Sequence, residues 1–132
     1  MKKLFILSLL LIAISGTISA QDEAKIPSGI SIAFRSGNAD GLSEYLNSTV
    51  EILLLDKEDF YSKSVAESIL KDFFSRYHSR DFVIRHQGAK NDAQYAIANL
   101  VTDKGSFRVY FLLKKVGGTP LIHQIRIEPE NE

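Results

Sequence analysis

Apolar residues recur at two different periods along this chain, and the change from one to the other divides it. From Pro27 onward, Ile30, Ala33 and Phe34 fall at helical spacing, and Gly37 supplies the left-handed residue on which a helix can end. Asn38 then caps a second short helix that shows Leu42, Tyr45 and Leu46 on one face. Asn47-Ser48-Thr49 reads as a turn before Val50 to Leu55, a β-branched and leucine run of strand length, and the charged stretch Asp56 to Asp59 reads as the turn that ends it. Ser64 with Glu67 forms a capping box ahead of Ala66, Ile69, Leu70, Phe73, Phe74 and Tyr77, the clearest helical stripe in the chain. From Asp81 to Ile127 the period is two. Turn residues at Asn91-Asp92, Asp103-Lys104-Gly105 and Gly117-Gly118-Thr119 cut this region into four consecutive antiparallel strands.

Loop length decides which side chains share a face. A three-residue loop at Gly117 to Thr119 sets Arg108 opposite Glu128, Tyr110 opposite Arg126 and Leu112 opposite Gln124 on one side. Val109, Phe111 and Leu113 then meet Ile127, Ile125 and His123 on the other. A three-residue loop at Asp103 to Gly105 sends Tyr95, Ile97, Asn99 and Val101 to the same inner side as Phe111, and a two-residue turn at Asn91-Asp92 adds Phe82, Ile84 and His86. The inner face is therefore expected to be apolar with four polar members, His86, Tyr95, Asn99 and His123, which together with Phe111 make the candidate pocket. The outer face carries Arg85, Arg108, Tyr110, Lys114, Gln124 and Arg126. It is either a solvated surface or an interface anchored on Arg108, Tyr110, Gln124 and Arg126, since tyrosine and arginine are favoured anchors.

The ends and the composition place the chain in a compartment. Lys2 and Lys3, the apolar run Leu4 to Ile14 and the small exit residues Ile18-Ser19-Ala20 describe a secretory signal peptide over residues 1–20, too short in its apolar part to span a bilayer. Residues 21–25 form a flexible start, 26–129 a single domain and 130–132 a tail. Of 16 basic and 16 acidic residues, Lys2 and Lys3 leave with the signal, so the exported form is slightly acidic and lacks the basic footprint of a nucleic-acid binder. The absence of cysteine excludes disulfides, thiolate chemistry and a lipid-modified cysteine anchor.

Little in the chain points to catalysis. Two imidazoles on separate strands do not make a metal site, and Asp56 to Asp59 lacks the oxygen spacing and glycine of a calcium loop, so neither metal nor cofactor is expected. His78, after the third helix, suits a cation on the helix's last carbonyls. A cofactor-free isomerase, dehydratase or hydrolase would have to use His86 or His123 with Tyr95 and Asn99. No inward strand position is Asp or Glu, and a carboxylate base could reach in only from Asp56 or Asp59.

The segments "SGNADGLSEYL" (residues 36–46), "FYSKSVAESILKDFF" (60–74), "YAIANLVTDKGSFRVYFLLKK" (95–115) and "LIHQIRIE" (121–128) resemble an uncharacterised family of small secreted bacterial proteins. That family is placed in the nuclear transport factor two-like superfamily. The resemblance implies an α+β fold of order α-α-β-α-β-β-β-β, a strongly curved, mostly antiparallel sheet wrapped as a cone around helices. It also implies the dimerisation common in that superfamily. The expectation is a secreted or periplasmic non-catalytic domain that binds a small apolar molecule or a protein partner, a second copy included; a structural or inhibitory partner of another exported protein is the remaining alternative.

Overall fold

The computed structural model describes residues 25–130; Met1 to Ala20, read above as a signal peptide, lie outside them. In chain order come α1 (Ser28–Ser36), α2 (Ala39–Ser43), β1 (Leu46–Leu54), β2 (Lys57–Ser62), α3 (Lys63–Arg76), β3 (Ser79–Lys90), β4 (Ala93–Thr102), β5 (Gly105–Val116) and β6 (Thr119–Pro129). The class is α+β as expected, with one strand more. Asp56 to Asp59 is not a simple turn: Leu55-Asp56 makes a two-residue turn, and the charged residues after it form β2, an edge strand whose charges discourage further pairing. Asn47 to Thr49 likewise lies inside β1 rather than in a turn.

The sheet runs β2-β1-β6-β5-β4-β3. The last four strands form the expected antiparallel meander, while β1 joins β6 in parallel and makes the sheet mixed. It is an open layer with β2 and β3 at its edges, and is not strongly curled.

Local chemistry explains the helix ends. Gly37, at φ 66°, ends α1, and the Asn38 side chain accepts from Gly41 N–H at 3.0 Å to open α2. For α3 the cap is Ser62, not Ser64. Because β2 runs straight into the helix, Ser62 is the last extended residue, and its hydroxyl accepts from Val65 N–H at 3.4 Å. His78 does not cap the carbonyls at the other end. Lys104 Nζ donates to Arg76 O at 2.8 Å, and the His78 ring instead meets Asp103 at 3.0 Å.

The helices cover one face of the sheet, and aromatic rings fill the space between. Phe34 from α1 stacks on Phe82 at 4.6 Å and on Phe111 at 6.0 Å, with Phe74 edge-on at 6.2 Å. Phe73 meets Phe74 at 5.6 Å and Phe107 at 5.3 Å, and all six rings are buried. The middle of the fold is a packed core. Phe111, expected to line a pocket, is fully buried within it.

Two hairpin turns are one residue shorter than expected, and that changes the faces. Thr102 pairs with Gly105, so Asp103-Lys104 is a two-residue turn and β4 slips by one. Ala96, Ala98, Leu100 and Thr102 point inward opposite Phe111, Val109, Phe107 and Gly105, while Tyr95, Ile97, Asn99 and Val101 point out. Gly117-Gly118, both left-handed, also form a two-residue turn. Their shorter register ends at a bulge between Leu112 and Leu113, which leaves His123 unpaired and restores the expected pairs from Leu112 with Gln124 to Arg108 with Glu128. A second irregularity, between Ile84 and His86, leaves Arg85 unpaired and turns His86 outward.

Candidate functional site

All four polar residues assigned to an inner pocket therefore sit on the outer face of the sheet. There they join the four residues read as an interface. His86 Nε2 lies 3.1 Å from the Tyr95 hydroxyl, and Tyr95 leans toward Tyr110 with ring centroids 6.4 Å apart. Gly88 makes room for this ring, because a Cβ there would stand 2.7 Å from the Tyr95 oxygen. Arg85 Nε donates to Asn99 Oδ1, and Asn99 Nδ2 donates to Glu130 Oε1, a polar chain that crosses from β3 over β5 to the end of β6. His123 is apart from them all, its Nδ1 3.0 Å from Leu121 O on β6. The two imidazoles and Asn99 thus do not converge on one reacting atom. Asp56 and Asp59 stand on the β1–β2 hairpin at the sheet's far edge and bring no carboxylate to them.

No described helix covers this face, and its centre is a hollow of about 410 Å³ lined by Ile97, Arg108, Tyr110, Gln124, Arg126 and Glu128. Among the described residues neither Arg108 nor Arg126 is held in an ion pair. Gln124 Nε2 donates to Glu51 Oε1 at 3.1 Å. The Glu51 carboxyl is held above its ordinary value, first by its hydrogen bond with the Glu58 carboxyl, then by desolvation and the Glu58 charge, against the opposing pull of Arg126 and Gln124. Among the described residues no three of His, Cys, Asp and Glu gather closely enough to hold a metal.

The registers align these side chains in rows across all six strands. One row reads Glu58, Leu53, Arg126, Tyr110, Ile97, His86 from β2 to β3. The next reads Phe60, Glu51, Gln124, Leu112, Tyr95, Gly88, and a shorter one sets Glu128, Arg108, Asn99 and Val83 in line. Glu58, Glu51 and Glu128 lie on the β2, β1 and β6 half, which also carries Arg126; Arg108, Arg85 and His86 lie on the other. Sequence reasoning saw the central Arg108, Tyr110, Gln124 and Arg126, but it missed Glu51, Glu58 and Phe60, whose strands it had paired with nothing.

Solved structures of three Bacteroides proteins resemble the chain over 80–82% of its length. The one from Bacteroides ovatus is 36% identical, with a TM-score of 0.79 over 81% of this chain and 97% of that one. The one from Bacteroides uniformis is 34% identical, with a TM-score of 0.78 over 82% of this chain and 100% of the other. At 13% identity and a TM-score of 0.60, a nuclear transport factor two-like protein of unknown function from Shewanella baltica covers 80% of this chain and 88% of its own, and shares the fold alone. No curated protein matches. The model of a domain of unknown function, DUF4783, matches residues 27–128, which is nearly all of the described fold, and the chain belongs to that family.

Proposed function

We propose that the protein is an exported, non-catalytic binding module whose open sheet face is the working surface, and that its partner there is a second copy. The observation that carries this reading is the opposed charge of the two halves of the face. In a twofold, face-to-face dimer the same patch must complement itself. An axis along the strands between β5 and β6 sets β6 over the partner's β5, β1 over its β4 and β2 over its β3. The rows then pair Glu128 with Arg108, Arg126 with Tyr110, Leu53 with Ile97 and Glu58 with His86, each between copies. Phe60, 65% exposed, falls toward Gly88 and the Tyr95 ring that lies over it.

Sedimentation tests this directly. The parent should be dimeric, Arg108→Glu should shift it to monomer, and adding Glu128→Arg should restore the dimer by exchanging the two charges. A monomeric parent at every accessible concentration, or a double variant no better than the single one, would overturn the self-pairing. An enzymatic role has less support, since of the residues it needed only His86 and Tyr95 meet, on an open surface, with His123 and Asn99 held by other partners.

A further inference from the structure

The β1–β2 hairpin turns on a leucine in a conformation that leucine avoids. Leu55 has φ 62°, in the left-handed region. Elsewhere in this fold the same job falls to residues that tolerate it, with Asn91 at φ 59° between β3 and β4 and Gly117 at φ 61° between β5 and β6. Leu55 N–H donates to Ile127 O at 2.8 Å, a bond that asparagine or glycine would make equally well. The backbone therefore does not require leucine. Its side chain packs against the edge of the core.

That side chain is half-buried at the lip of a cleft on the helical side of the sheet, away from the proposed dimer face. The cleft holds about 420 Å³ between α3 and the hairpin, large enough for a small molecule. Ile52, Leu54, Leu55 and Ile69 make it mainly apolar. Tyr61 from β2 and Ser68 from α3 line it, and neither hydroxyl has a hydrogen-bond partner among the described residues, whereas Ser36, Ser43 and Ser75 all donate to carbonyls of their own helices. The rim charges balance. Arg76 is bonded to Asp72 at 2.9 Å, and Asp56 adjoins Lys57.

We infer that this cleft is a binding site for an uncharged amphiphile, a molecule with an aliphatic or ring body and a hydroxyl or carbonyl head, with Leu55 as the apolar anchor that closes over it. A filled aromatic core leaves no room for such a ligand at the centre of the fold, and the balanced rim gives neither a carboxylate nor an ammonium a dedicated partner. Tyr61 and Ser68 supply the hydrogen bonds that orient the head group.

Titrating isotope-labelled protein with decanol, decanoate and decylammonium, and following backbone amide resonances, tests each part. Decanol should give saturable shifts at Leu54, Leu55, Tyr61, Ser68 and Ile69 and bind more tightly than either charged chain. Leu55→Asn should weaken decanol about tenfold, the scale of a lost aliphatic contact in a pocket. Its melting point should stay within about 5 °C of the parent, because relief of left-handed strain offsets lost burial. Ser68→Phe, a change on an exposed helix position, should block the cleft without touching the turn. Tighter binding of either charged chain, shifts away from the cleft, no saturation, or full affinity in Ser68→Phe would overturn the assignment.

Discussion

Replacing Phe34 by alanine distinguishes a packed interior from an open cone. The ring has no exposed surface and touches three others, stacking on Phe82 at 4.6 Å and on Phe111 at 6.0 Å, with Phe74 edge-on at 6.2 Å. Losing its burial removes about 2–3 kcal/mol of transfer free energy. The surrounding groups belong to a helix and a sheet that cannot simply collapse, so a cavity remains and raises the total to about 3–5 kcal/mol. That is a large share of the roughly 5–15 kcal/mol that stabilises a domain, and a melting point lowered by about 15 °C or more should accompany it. Urea unfolding measures it, through a lower midpoint at an unchanged slope. Phe60→Ala, on the exposed outer face, serves as the control and should change the stability of the monomer by no more than about 0.5 kcal/mol. A Phe34→Ala loss below about 1.5 kcal/mol would mean that the ring borders empty space, and the argument for a filled core would fail.

Other perturbations test the electrostatics and the register. His78 holds the Asp103 carboxyl below its ordinary value through side-chain and backbone hydrogen bonds, so the stability it contributes is present above the unfolded pKa and lost as pH falls through the folded one. Thermal melts of Asp103→Asn should show a deficit at neutral pH that closes only in the acid range, and a deficit constant down to pH of about 2 would contradict this. Glu51 is shifted the other way, so the folded state loses stability as pH rises through its pKa; Glu58→Gln should therefore be more stable than the parent at neutral pH, with the gain fading below about pH 4. Deleting His123, the unpaired residue of the β5–β6 bulge, should leave a folded protein in which Ile122 still faces inward and Gln124 outward. Deleting Ile97 from the regular β4 ladder should instead invert one end of that strand, and equal loss of amide-exchange protection in both deletions would refute the bulge assignment.

The order of elements was legible because helical and alternating periods are properties of short windows. Gly37, Asn38 and the Asn91-Asp92 turn were legible because each carries its own backbone chemistry. The faces of β4 were not. Asp103-Lys104-Gly105 suits a two- or a three-residue loop, and the choice moves Tyr95 and Asn99 from one side of the sheet to the other. One signal could have settled it. Ala96 and Ala98 are small residues at alternate positions opposite Phe111 and Val109, as a sheet needs beneath stacked rings, whereas Tyr95 and Asn99 would have had to share that space with Phe34. The bulges at Arg85 and His123 leave no mark in the alternation. β2 was hidden because an edge strand's charges look like a turn.

Those two bulges bear on how the outer face should be understood. A regular ladder gives each face every second residue. At each bulge the ladder instead places two polar neighbours outward, Arg85 with His86 and His123 with Gln124, while Phe82, Ile84, Ile122 and Ile125 keep their inward positions. The core therefore dictates how each strand meets the helices, and the irregularities absorb the mismatch entirely on the uncovered side. Their effect is to crowd hydrogen-bonding groups onto β3 and β6, at the two sides of a central hollow where, among the described residues, neither Arg108 nor Arg126 has an ion-pair partner. A face that only needed solvation would gain nothing from which half carried the cations. A face that must meet its own copy would, because Arg108 on one half then lies over Glu128 on the other, and inverting either charge alone would set like charges against each other.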